Sequence, residues 1–194
     1  MASPTLALPS AGGTKPRGVV TMAATFAVIG GTMLFGALIG AYLHMRRLTD
    51  AFPPGDVEID QYWGNLMAIT MVLSSVTVEW GVQALRRGER KQALAGFALT
   101  VGLGCAFLNL LSYAASQVEF DAVSHPYGLI VAAMTMVLGI VVGLAVALVS
   151  LTLFRVAGRQ LLEPDAEMPR AAAIVWQFSV LASLAVWYTV IVLK

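Results

Sequence analysis

One cysteine, two histidines and a charged fraction of 12% are all that this 194-residue chain offers to chemistry that needs ligands, nucleophiles or solvated surface. The lone Cys105 excludes an intramolecular disulfide and any cysteine-based metal motif. Haem or copper ligation inside a helical bundle takes several inward-facing histidines. Here His44 stands near the end of an apolar run and His125 beside Pro126 in a connector. No glycine loop follows a strand pattern, and no Ser/His/Asp set can be assembled. Catalytic residues, cofactor-binding residues and metal ligands are therefore all expected to be absent from this chain. Net charge is +1, which singles out no partner, and nucleic acid is not expected among them.

What the chain has in abundance is apolar length: 58% of its residues are hydrophobic, which suits lipid as the solvent. Five runs stand out, Val19 to Leu43, Tyr62 to Leu85, Ala93 to Ser116, Tyr127 to Phe154 and Ala171 to Leu193. Each supplies roughly 20 or more residues, enough as helix for a hydrocarbon core of about 30 Å. The runs do not alternate as barrel strands would, and an open sheet leaves backbone groups unsatisfied in lipid. The fold class follows: all-α, a polytopic membrane bundle of five transmembrane helices filling residues 19–194. Residues 1–18 hold Pro4, Pro9, Gly12, Gly13 and Pro16 and read as a flexible polar tail with no cleavable signal peptide.

Charge placement orients the bundle. One face collects nine basic residues, from the tail, the second connector (Arg86, Arg87, Arg90, Lys91) and the fourth (Arg155, Arg159, Arg170). The opposite face has three, Arg46, Arg47 and Lys194, among the acids Asp50, Asp56, Glu58, Asp60, Glu119 and Asp121. The positive-inside rule puts the amino terminus in the cytoplasm and the carboxyl terminus outside.

Two features of the helix faces point to contacts. Gly36 and Gly40 in the first run, and Gly139 and Gly143 in the fourth, have the spacing that lets membrane helices approach closely. In the second run, Asn65, Ala68, Val72, Ser75, Glu79 and Gln83 fall in one narrow stripe at 100° per residue. Such a stripe faces protein or trapped water, not lipid. The third run repeats the pattern with Gly102, Cys105, Asn109, Ser112 and Ser116, so the two stripes are expected to meet each other or a neighbouring subunit. Glu79, about 9 Å below the cytoplasmic end, is the one formal charge well inside a run. It is either a member of a proton path or a near-interface carboxylate that snorkels or pairs with Arg86 or Arg87.

Several segments resemble subunit III of the haem–copper terminal oxidases, in the short five-helix bacterial form that lacks the first two of seven helices. The clearest is Leu73-Ser-Ser-Val-Thr-Val-Glu-Trp-Gly-Val-Gln-Ala-Leu-Arg-Arg-Gly-Glu-Arg90, a Ser-Ser-x-Thr segment preceded by Asn65 and followed by a basic loop. Met33-Leu-Phe-Gly-Ala-Leu-Ile-Gly-Ala-Tyr42, with Pro53-Pro-Gly55 after it, is similar to the family's first-helix segment. Tyr127-Gly-Leu-Ile-Val131 and Trp176-Gln-Phe178 match more weakly. The family's ionisable groups are replaced: Gly30-Gly31 stands for a Ser-Glu pair, Tyr127 and Ile130 for two histidines, Gln177 for a histidine and Val180 for an aspartate.

The resemblance implies an accessory subunit of an aerobic respiratory oxidase in a bacterial inner membrane. Such a subunit packs on subunit I, holds phospholipids in a cleft and sustains proton uptake and turnover. Haem and copper then reside in subunits I and II, the donor is cytochrome c or quinol, and a cytochrome bc-type complex is a further partner if a supercomplex forms. Two other classes stay open: an accessory protein of a nitric oxide reductase, and a small transporter with Glu79, Asn65 and Asn109 along its path. Five runs cannot form the two equal repeats a transporter favours, and no proline falls at a run centre.

Overall fold

The computed structural model describes residues 18–48, 61–116, 126–159 and 167–192, and every regular element among them is helical. They are α1 (Val19–Leu48), α2 (Gln61–Arg86), α3 (Arg90–Ser116), α4 (Pro126–Ala157) and α5 (Glu167–Trp187), the last continuing into a π-helical turn, Tyr188–Val192. All five are long and apolar enough to cross a membrane, as the hydrophobic runs require. The tail up to Arg17, His125 and all six acids assigned to the outer face lie outside the described residues.

Helix ends follow local chemistry. α1 runs five residues past Leu43 because Arg46 and Arg47 fall in its last turn, where cations complement the negative end of the helix dipole. Pro126 opens α4 and Pro169 lies in the first turn of α5, positions whose N–H has no helical partner to lose. α2 stops at Gly88, whose φ of 76° lets the chain turn back. Gly88 N–H donates to Leu85 O (3.0 Å) and Glu89 N–H to Ala84 O (2.9 Å), satisfying two of the carbonyls a helix end leaves free. Arg90 opens α3 and fastens it to the far end of α4: its Nε donates to Val156 O (3.0 Å) and its Nη2 to Ala157 O.

α2 and α3 form the tightest pair, α3 packs on α4, and α5 runs through the middle against α1, α2 and α4. Lipid tails are as apolar as leucine, so burial alone does not drive these contacts; close packing and hydrogen bonds do. Glycines make the closest approaches, though not the four singled out by spacing. A Cβ on Gly96 would lie 2.7 Å from Gly81 Cα, and one on Gly104 would lie 2.6 Å from Trp176 Cη2. By contrast, Gly36, Gly40 and Gly143 have open space where a Cβ would go, and Gly139 would meet Leu111 Cδ2 at an ordinary 3.5 Å. Within this chain the spaced pairs therefore do not carry close packing; the α2–α3 and α3–α5 crossings fall elsewhere along the helices.

Three of the buried hydroxyls are satisfied along their own helices. Thr100 donates to Gly96 O (2.8 Å), Thr152 to Leu148 O (2.9 Å) and Ser179 to Val175 O (2.9 Å), so none is left bare in a medium without water. Gly96→Val is expected to force α2 and α3 apart and to destabilise the bundle by about 1–3 kcal/mol. Gly36→Ala, placed in open space, is expected to leave the isolated chain's stability unchanged. Reversible unfolding of the purified chain in detergent micelles compares the two.

Candidate functional site

The polar residues of α2 converge on α5, not on α3. The two helices run antiparallel, which sets Ser75 opposite Gln177 and Asn65 opposite Trp187. Ser75 Oγ donates to Gln177 Oε1 at 2.7 Å, and Gln177 Nε2 returns a bond to Ser75 O at 3.3 Å and a longer one to Glu79 Oε1 at 3.4 Å. One helical step away, fully buried Trp176 donates through Nε1 to Ser74 Oγ (3.1 Å), whose hydroxyl in turn donates to Met71 O (2.7 Å). Toward the outer end, Trp187 Nε1 donates to Asn65 Oδ1 (3.2 Å). Five interhelical hydrogen bonds thus form a seam along the two helices.

The expected meeting of the α2 and α3 stripes does not occur. α2 turns Thr77 and Gly81 toward α3, where the Thr77 and Thr100 hydroxyls share a 2.8 Å hydrogen bond and Gly81 nests on Gly96 and Phe97. That choice of face leaves Ser75 and Glu79 directed at α5. On α3 it leaves Gly102, Cys105, Asn109, Ser112 and Ser116 exposed on the outside of the bundle. A neighbouring subunit remains the reading for that stripe.

Glu79 is exposed at the edge of the seam, in a cavity of about 420 Å³ between α1, α2 and α5 lined also by Thr32, Arg86, Arg170, Gln177 and Phe178. Its contact among the described residues is the amide of Gln177, and it forms no ion pair there with Arg86 or Arg87. Within the near-interface reading, pairing with those arginines is thus not realised, which leaves a snorkelling carboxylate or a member of a proton path. Gln83, one turn further, is exposed at the cytoplasmic end.

The positions that the resemblance marks as departures are filled by packed or hydrogen-bonded groups. A Cβ on Gly31 would lie 2.5 Å from the Cζ of Phe178, so the α5 phenyl ring takes the space of a side chain there. Tyr127 packs against Tyr42, ring centroids 6.3 Å apart, and Ile130 and Val180 are core residues. Gln177 sits where a histidine is usual and serves as the central link of the seam. Among the described residues no three of His, Cys, Asp and Glu gather at one place, and His44 is exposed at the end of α1.

Sequence reasoning found Asn65, Ser75 and Glu79 but missed their partners Gln177, Trp187 and the Ser74–Trp176 pair. The available signal was the antiparallel register, which aligns the polar positions of α2 with the Trp, Gln and Trp of α5. Replacing Ser75 by Ala and Gln177 by Leu, singly and together, is expected to give a coupling energy of about 0.6–1.7 kcal/mol in a double-mutant cycle of unfolding in micelles. Simple additivity would contradict the seam.

With that geometry in view, comparison with known proteins is specific. The sequence pattern of the family described as cytochrome c oxidase subunit III matches residues 17–192, which includes all five helices and the seam. Among individual relatives, cytochrome c oxidase subunit 3 of Thermostichus vulcanus is 23% identical over 82 residues, 42% of this chain and 41% of that one. The subunit 3 proteins of Danio rerio and Cyprinus carpio are 35% and 34% identical over 77 residues, 39% of this chain and 30% of each relative. The matched segments thus span well under half the length of these relatives. The match across every membrane helix decides the assignment: the chain belongs to the cytochrome c oxidase subunit III family.

Proposed function

We propose that the chain is the accessory subunit III of an aerobic respiratory haem–copper oxidase in a bacterial inner membrane. It packs on subunit I, holds structural phospholipids, and sustains proton uptake and turnover, while haem and copper reside in subunits I and II. The oxidase reduces oxygen to water with electrons from cytochrome c or quinol, and a cytochrome bc-type complex joins it where a supercomplex forms. The observation that carries this reading is the family match over residues 17–192, extending through the α2–α5 seam.

The physical arrangement supports a scaffold. Polar groups of α2 are engaged by α5, while Asn109 and Ser112 on α3 are exposed and suited to a protein neighbour that hydrogen-bonds within the bilayer. The cavity beside Glu79 combines apolar walls, Val28, Ile174, Phe178 and Leu181, with Arg86 and Arg170, a lining suited to an acyl chain beneath an anionic headgroup.

Purification in mild detergent through a tag on this chain tests the reading. Haem bands and co-eluting large subunits are expected in the visible spectrum and on the gel; a colourless lone protein would overturn it, and a core with non-haem iron would point to a nitric oxide reductase. Within the purified complex, Glu79→Gln is expected to leave assembly intact and proton uptake little changed. A large slowing of turnover with assembly unchanged would instead make Glu79 part of a proton path.

A further inference from the structure

The bond from Arg90 to the end of α4 has a consequence at the surface. It draws the α2–α3 turn, with Arg86, Arg87 and Lys91, against the α4 terminus, with Arg155 and Arg159. Five cations from two segments some 70 residues apart in the chain thus share one end of the bundle, the end the charge bias assigns to the cytoplasm. All five are exposed, and none of their side chains has a hydrogen-bond or ion-pair partner among the described residues. Glu89 is the one described acid between them. Counting the sequence, this end of the molecule carries nine basic residues against four acidic ones, Glu89, Glu163, Asp165 and Glu167.

The two helix stops differ in a telling way. α2 ends on Gly88, which takes its left-handed backbone without strain, whereas α4 ends with Arg159 at φ 57°, a conformation that a residue with a Cβ adopts at a cost. Gly158, next to it, does not take that position. α4 therefore keeps a guanidinium where a glycine would be more comfortable, beside four other unneutralised cations.

We propose that this surface binds the headgroups of anionic phospholipids in the cytoplasmic leaflet. The side chains stand at the ends of membrane helices, at the depth where lipid phosphates are concentrated, and long basic side chains reach that layer readily. Arg86 also borders the cavity beside Glu79, whereas Arg87, Lys91, Arg155 and Arg159 lie outside it on the open surface, which favours a fluid layer of anions over an acidic protein segment. The inference rests on the membrane placement and orientation of the chain and not on its membership of an oxidase. Its failure would leave the haem co-elution result untouched.

The test places the full chain in phosphatidylcholine bilayers with trace spin-labelled phosphatidylglycerol or phosphatidylcholine. At low salt, the motionally restricted fraction is expected to favour phosphatidylglycerol by about two- to fivefold, and the preference should fade at high salt. Replacing Arg87, Lys91 and Arg155 by Gln together with Arg159→Gly should bring it to parity. Arg46→Gln with Arg47→Gln, at the opposite end, should leave it in place. Arg159→Gly alone removes a charge while relieving the backbone, so it should weaken the preference and raise the unfolding midpoint, which separates lost binding from lost folding. Equal restriction of the two lipids by the unmodified chain at low salt would overturn the proposal. So would an undiminished preference in the fourfold variant, and so would loss of co-eluting subunits in that variant with lipid preference intact, which would make the patch a protein contact.

Discussion

The rotational setting of α2 governs the rest of this bundle. In hydrocarbon, apolar side chains gain nothing by leaving lipid for protein, so helices associate where backbones come close or where polar groups find each other. α2 does both, on two different faces. Gly81 lies on Gly96 so closely that a methyl group at residue 96 would collide with the backbone opposite, and the Thr77–Thr100 hydrogen bond fixes the same face. Once that contact is made, the stripe from Asn65 to Glu79 has only one neighbour within reach, and α5 supplies it with Gln177 and two tryptophans.

At the positions that the resemblance marks as ionisable in other members, this chain places packed or neutral side chains. The place of a histidine on α5 is taken by Gln177, which both donates and accepts and so bridges Ser75 and Glu79 without a charge. The place of a carboxylate on α1 is occupied by Gly31, with the ring of Phe178 filling the gap. On α4, Tyr127 and Ile130 extend the core. Glu79 is the one carboxylate at membrane depth within the described helices.

Much of the fold was legible because hydrocarbon thickness sets helix length, and five apolar runs of that length admit few alternatives. Helix ends were less so, since Arg46 and Arg47 extend α1 by electrostatics that a hydropathy reading treats as a boundary. The polar stripe on α2 was visible from periodicity alone, but its partner was not. Periodicity gives the angle of a stripe about its own axis and says nothing of which helix it faces. The glycine pairs failed for the same reason: Gly36 and Gly40 have the right spacing, yet close packing fell to Gly96 and Gly104, whose neighbours are set by the crossings of three helices. The subunit III resemblance was carried by motifs in α1, α2 and the connectors, not by the ionisable residues that are missing.

The most direct measurement of the account is disulfide crosslinking across the seam. In a background with Cys105 replaced, Ser75→Cys with Gln177→Cys is expected to crosslink efficiently on mild oxidation in the membrane, and Ser75→Cys with Asn109→Cys is not. A crosslink from residue 75 to residue 109 with none to 177 would contradict it, because α2 would then present its polar face to α3.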